Sequence, residues 1–175
     1  MVISMDVVNF LNVDIRERSS KMNQIEQFWQ QFLKDTNRPN TLRYNEAYHF
    51  ELSIPAANYL LDLVLSGKKQ ATCSSYEGMI ISNETLPVVG ELNIITDGYD
   101  CPFAIVETTK VLVMRYGDIT YERCSLEGED ESLASWQDNH RKFFTEEGKK
   151  LGYTFSEEML IVFEEFKLIY KKERL

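Results

Sequence analysis

The sequence predicts an α+β fold closed as a small mixed β-barrel, and three observations carry that prediction. Two amphipathic helical patterns come early. The periodicity switches to β-type alternation after Gly67. A third helical pattern then returns before a last alternating run. The order helix, helix, strands, helix, strand suits helices packed around a curled sheet. A chain of 175 residues and 20.5 kDa buries a sizeable core without disulfide or metal staples.

The first helix is marked by Met22, Ile25, Phe28, Trp29, Phe32 and Leu33, which recur at helical spacing. Ser19 or Ser20 is its expected N-cap, and Asn37-Arg38-Pro39 its stop. Residues 1–21 fit this pattern poorly and read as an N-terminal extension, which leaves 22–175 as the domain. The second helix is expected to begin at Pro55, a favoured first position. Tyr59, Leu60, Leu63 and Val64 form its expected buried stripe, and Gly67 its left-handed C-cap. Short strands are predicted at 71–75 and 91–96, and Asp97-Gly98-Tyr99-Asp100 turns the second into a long β-rich run over 102–116. Gly117-Asp118 breaks that run, and residues 126–132 form an acidic loop. Leu133, Trp136, His140, Phe143 and Phe144 share one face of a third helix ending near Gly152. Met159 to Tyr170 is the final strand, with Phe166, Leu168 and Tyr170 alternating.

Charge narrows the function classes. The formal net charge is −9, from 28 acids against 19 bases. A protein that grips long duplex nucleic acid needs a basic face, so that role is disfavoured. A small basic pocket remains compatible with this balance. No apolar run is long enough to span a bilayer, so no membrane association is expected. Cys73, Cys101 and Cys124 are odd in number and far apart, with no CxxC pair. They read as reduced thiols in a cytoplasmic protein. The N-terminus lacks the basic flank of a signal peptide. Neither His49 nor His140 has a partner at metal-ligand spacing, so no metal and no cofactor are expected. His140 reads as a core histidine on the Trp136/Phe143 stripe.

The segment from Ser66 to Thr72 is the most suggestive chemically. It places Lys68, Lys69 and Thr72 just past a helix end, at the entry to a strand. Lysines favour a helix C-terminus and threonine favours strands, which alone explains the composition. The same residues also make an electropositive spot in an acidic chain. A lysine held in a partly dry cleft can serve as a base, with the threonine hydroxyl as nucleophile. In a regular strand, residues three apart point to opposite faces, so Lys69 and Thr72 converge only if the chain after Gly67 is irregular. The acidic run Glu127-Gly128-Glu129-Asp130-Glu131 is ordinarily a solvated loop. One of its carboxylates folding back onto the lysines would complete an acid/base set.

These motifs resemble the ASCH domain family. Gly67-Lys68-Lys69-Gln70-Ala71-Thr72 is similar to its GxKxxT signature. Pro87-Val88-Val89-Gly90-Glu91 is similar to its Pro-x-x-Gly-Asp/Glu strand entry, and residues 102–111 to its central strand. Glu127-Gly128-Glu129 followed by Ser132-Leu133 and Trp136, then His140 and Phe143-Phe144, resembles a longer bacterial branch with an EGE-x-x-SL-x-x-W element. The resemblance spans about residues 25–170. It implies a PUA-like β-barrel with helices around a cleft, and a modified nucleoside or RNA end as ligand. Within the family, small members hydrolyse N4-acetylcytidine and others are ribonucleases. By position, the working residues of the amidohydrolases correspond to Lys69, Thr72 and Glu129, with Lys68, Tyr76 and Glu127 as further substrate-binding candidates. In that reading Thr72 attacks the acyl carbon, Lys69 is the base and Glu129 orients it. A base role requires that Glu129 is not tightly ion-paired with Lys69. The alternative is a non-catalytic module that binds RNA or a nucleoside, with Tyr44, Tyr48, Tyr76 and Tyr99 as candidate stacking residues. Ribonuclease action is disfavoured by the acidity.

Overall fold

A computed structural model describes residues 23–50 and 53–172. The extension over 1–21, the Met22 contact and the Ser19/Ser20 cap lie outside the described residues. Helix α1 covers residues 23–35. It buries Ile25, Phe28, Trp29, Phe32 and Leu33, the stripe its spacing predicts. Strand β1 (Ala47–Tyr48) follows, then α2 (Ile54–Leu65), β2 (Ala71–Ser75) and α3 (Tyr76–Ile81). Strands β3 (Leu92–Thr96) and β4 (Pro102–Arg115) form the predicted hairpin. A short helix α4 (Tyr121–Cys124), the long helix α5 (Leu133–Leu151) and β5 (Leu160–Lys171) complete the order.

The hairpin turn is held by Asp97, whose Oδ1 accepts from the Tyr99 and Cys101 amides, each at 2.9 Å. This is the Asx-type turn chemistry that the Asp-Gly signal predicts. Ser132 caps α5 by accepting from the Ser135 amide, and Gly152 ends it in the left-handed region. Three short elements, β1, α3 and the four-residue α4, escape the sequence patterns. Strand β1 has two residues, too few for periodicity to register. Helix α3 has six, and it is set by the Ser75 hydroxyl accepting from the Gly78 amide at 3.0 Å. In α2, Tyr59 is exposed, and the buried stripe runs instead through Ala57, Leu60, Leu61, Leu63 and Val64.

The five strands form one sheet in the order β1-β3-β4-β5-β2. Among the described residues β1 pairs β3 in parallel, while β3, β4, β5 and β2 pair antiparallel. Strand β3 is buried along its whole length because both of its faces are covered. Leu92 and Ile94 meet α1, while Ile95 meets Leu61 and Val64 of α2. A third cluster, built on Tyr116, Trp136, Phe144, Ile161 and Phe163, packs α5 against β5.

The expected barrel does not close. Among the described residues, strands β1 and β2 are the two edges, and no ladder joins them. The physical reason is the brevity of β1, whose two residues pair with Ile94 and Ile95 on one side and offer too short an edge on the other to ladder with β2. A cavity of about 490 Å³ occupies the gap, lined by Glu46 and Tyr48 on one side and by Thr72, Cys73 and Ser74 on the other. Three consecutive residues of one strand cannot share a face. The cavity therefore runs along the free edge of β2.

Carboxylates crowd this gap. Burial pushes the Glu46 carboxyl up, and the charges of Glu84 and Glu91 push it further. Burial also raises Glu164, although its Oε1 accepts from the Thr108 hydroxyl at 2.5 Å. A carboxyl raised in the folded state binds its proton more tightly there than in the unfolded chain. Stability from these two groups is thus highest below the ordinary carboxylate range and is lost as pH rises through the raised values. Glu46→Gln is expected to raise the melting temperature at pH 7 and to flatten its dependence between pH 4 and 7, read by thermal unfolding. An unchanged profile would show that Glu46 is not responsible.

Candidate functional site

The site is built on the end of α2. Gly67 takes φ +74°, and the chain keeps turning beyond it. The Lys68 and Lys69 amides both donate to the Leu63 carbonyl, at 2.9 and 3.0 Å. Residues 68–70 are therefore outside any strand, and strand alternation does not govern where Lys69 points. Lys69 is 3% exposed and lines a cavity of about 140 Å³ together with Thr72. The irregularity required for their convergence is present. Lys68, one residue earlier, is exposed.

The acidic run folds back onto this turn. Residues Ser125–Glu127 form a 3-10 turn, and the Gln70 amide donates to the Leu126 carbonyl at 2.7 Å. Gly128 then takes φ +73°, and a side chain there would lie 2.6 Å from the Lys68 carbonyl oxygen. Only glycine meets both conditions. The reversal at Gly128 sends Glu127 inward and leaves Glu129 at the cavity rim, with its side chain 29% exposed.

Four side chains surround Glu127. The Trp136 indole donates to its Oε1 at 2.8 Å. Its Oε2 lies 3.6 Å from His140 Nε2 and 3.8 Å from Lys69 Nζ. Cys73 Sγ completes a group with Glu127 and His140 whose ligand atoms all lie within 4.8 Å of one another. Burial alone would push the Glu127 carboxyl up. The nearby His140 ring, the Lys69 charge and the Trp136 indole outweigh it, and the carboxyl is held below its ordinary value. Burial pushes the Cys73 thiol well up; the Glu127 charge adds to this and the Lys69 charge opposes it. Lys69 Nζ makes its close contact with Glu129 Oε1, at 2.5 Å, and lies 5.0 Å from the centre of the Phe50 ring.

The two cavities adjoin, sharing Phe50, Thr72, Cys73 and Phe143. Lys69, Thr72, Glu127 and Glu129 thus come together around the smaller one. Tyr76 does not join them. It opens α3 and lines a separate depression with Glu77, Ile80 and Leu160. Among the other tyrosines, Tyr48 lines the larger cavity, Tyr44 packs edge-on against Trp29, and Tyr99 is 60% exposed on the hairpin turn. Cys73, His140 and Phe50 are site residues that the sequence patterns do not single out as such. His140 is expected in the core. Its ring instead stacks on Trp136 at 3.9 Å and forms part of the cavity wall. The i,i+4 pairing of Trp136 with His140, nine residues after Glu127, was the available signal.

Among the described residues no helix is long and apolar enough to cross a membrane. Among curated proteins, none matches the sequence closely enough to lend it an activity. The family model for the ASCH domain matches residues 46–170. The crystal structure of a protein from Enterococcus faecalis is 34% identical, covers 85% of this chain and 89% of its own, and superposes with a TM-score of 0.78. An ASCH domain structure from Lactobacillus crispatus is 33% identical, covers 83% of this chain and 94% of its own, and has a TM-score of 0.75. The fold is a mixed α+β arrangement of the kind those structures have, and the chain belongs to the ASCH domain family.

Proposed function

We propose that the joined cavities bind a modified nucleoside or an exposed RNA base, and that Lys69, Thr72 and Glu129 hydrolyse an N4-acyl amide on a cytidine-like base. The supporting observation is the convergence of a buried lysine, a strand-edge threonine and a rim carboxylate on one cavity. That cavity opens beside a larger one with amide and carboxylate lining, including Asn45, Asn93 and Glu164. The small cavity suits the acyl group, and the polar one suits the edge of a base.

The base role read from the sequence for Lys69 gives way to another. Lys69 Nζ donates to Glu129 Oε1, so a donor role suits it better than that of a proton acceptor. It serves instead as a donor to the acyl oxygen, stabilising the negative charge that develops there. Glu129 takes the proton from the Thr72 hydroxyl as its oxygen attacks the acyl carbon. The tetrahedral species then expels the exocyclic amine, which receives that proton from Glu129. Water, deprotonated by the same carboxylate, hydrolyses the resulting threonyl ester and restores the hydroxyl.

The test is release of cytidine from N4-acetylcytidine by purified protein, followed across neutral pH. Thr72→Val keeps the side-chain shape and is expected to abolish turnover. Absence of wild-type turnover on every acylated nucleoside tried would overturn the hydrolase reading. The tight Lys69–Glu129 pair favours one second reading, a non-catalytic binding module. Binding without turnover would support it. Nucleoside binding should be nearly insensitive to salt, whereas RNA binding weakens steeply.

A further inference from the structure

We propose that Cys73, Glu127 and His140 form a binding site for a zinc-class dication at the wall of the smaller cavity, distinct from the Lys69–Glu129 pair. The three ligands come from three separate places in the fold: β2, the 3-10 turn and α5. A thiolate, an imidazole and a carboxylate are the donors zinc prefers, and three protein ligands with an open fourth position is its catalytic-type arrangement. All three residues line the smaller cavity, so the fourth position faces open space. Ligand atoms around a tetrahedral zinc lie roughly 3.4–3.7 Å apart. The observed set, all within 4.8 Å, needs shifts of about an ångström to reach it.

The orientation of His140 is the second, independent observation. Its Nδ1 lies 3.1 Å from the Trp136 carbonyl oxygen. A carbonyl only accepts, so Nδ1 carries the hydrogen. In the neutral ring Nε2 then presents a lone pair, and it faces Glu127 Oε2 at 3.6 Å. Two acceptors aimed at one another are unfavourable unless a positive charge lies between them. Metal-bound histidines commonly donate their other ring hydrogen to a backbone carbonyl, which is the arrangement His140 has. Glu127 is prepared in the same sense, since the Trp136 indole holds Oε1 and leaves Oε2 toward the cluster.

Charge also balances. A thiolate and a carboxylate offset a dication, and the neighbouring Lys69–Glu129 pair is neutral by itself. The Lys69 ammonium stands 3.8 Å from Glu127 Oε2, beyond hydrogen-bonding distance, so that oxygen is not committed to it. On binding, the thiol proton passes to solvent and a sulfur–metal bond forms in its place. An imidazolium at His140 would also separate the two acceptors, and the experiment distinguishes the two.

The full chain, stripped of metal and reduced, is titrated with Co²⁺ alone. The expected result is a near-ultraviolet thiolate-to-cobalt charge-transfer band with intense visible bands of a tetrahedral ion, both removed by excess Zn²⁺. Cys73→Ser should lose the charge-transfer band. His140→Gln should weaken Co²⁺ binding by about 100-fold or more, beyond the roughly 10–100-fold that loss of an outer-shell partner costs. Circular dichroism confirms that each variant is folded, and either one suffices if the other is not. A wild-type protein without the band, or a band undiminished in both folded variants, would overturn the site. Because no nucleoside is present, this result is independent of the hydrolase reading.

Discussion

On the proposed hydrolase reading, replacing Lys69 by methionine is expected to reduce kcat/KM for N4-acetylcytidine by about 10²–10³-fold, the loss typical of removing one preorganised oxyanion donor. Methionine matches the length of the stem but donates nothing to the acyl oxygen. Stability should fall as well, because Lys69 is buried between Glu127 and Glu129 and is one source of the charge that keeps Glu127 ionised. Removing one partner of a buried pair costs about 3–5 kcal/mol, and the partial exposure of Glu129 places this case at the lower end. Adding Glu127→Gln to Lys69→Met removes the stranded charge and should recover part of that loss in a urea melt, without recovering turnover. Turnover that survives in the single variant would show that the ammonium does not act on the substrate. Full stability in the single variant would show that Glu127 does not depend on it.

Gly128→Ala should be the most destabilising single-methyl change in the site. Its new carbon would sit 2.6 Å from the Lys68 carbonyl oxygen and 2.7 Å from the carbonyl carbon. Both atoms are backbone, so no side-chain rotation relieves the overlap. The left-handed conformation adds about 1–2 kcal/mol for any residue with a β-carbon, and the overlap about 1–3 kcal/mol more. A total of about 3 kcal/mol lowers the melting temperature by roughly 6–12 °C in a chain of this size. Gly90→Ala is the control. Gly90 takes φ +94° with no atom near its absent side chain, so it carries the conformational term alone. Equal losses for the two variants would show that the approach of Gly128 to Lys68 is not a constraint.

The long elements were legible because periodicity accumulates with length. Helix α1, helix α5 and strands β4 and β5 each repeat their pattern several times. Strand β1 and helix α3 were not, because two residues paired with a distant strand, or six set by a single cap, are too few to show a period. The barrel expectation failed on the same point, since closure depends on how many residues β1 contributes. In the candidate site, Lys69 and Thr72 were legible through the GxKxxT-like segment, and Glu129 through the Glu-Gly-Glu element before Ser132-Leu133. Cys73 and His140 were not. Cys73 looks like any residue in a short strand, and its proximity to His140 follows from packing α5 over β2 and β5, which no spacing in the sequence encodes.

An open sheet has a chemical consequence at the β2 border of the gap. Along any edge strand, alternate peptide units turn their N–H and C=O groups away from the neighbouring strand. Strand β2 is such an edge, and Thr72, Cys73 and Ser74 line the cavity beside it. Main-chain donors and acceptors of this kind survive any exchange of side chains except to proline. A planar amide-bearing ligand can therefore be held by the scaffold itself, while the side chains around it decide which one. Substitutions in the lining can then shift ligand preference without first destroying the capacity to bind, so one backbone can serve several chemistries over the divergence of its sequence.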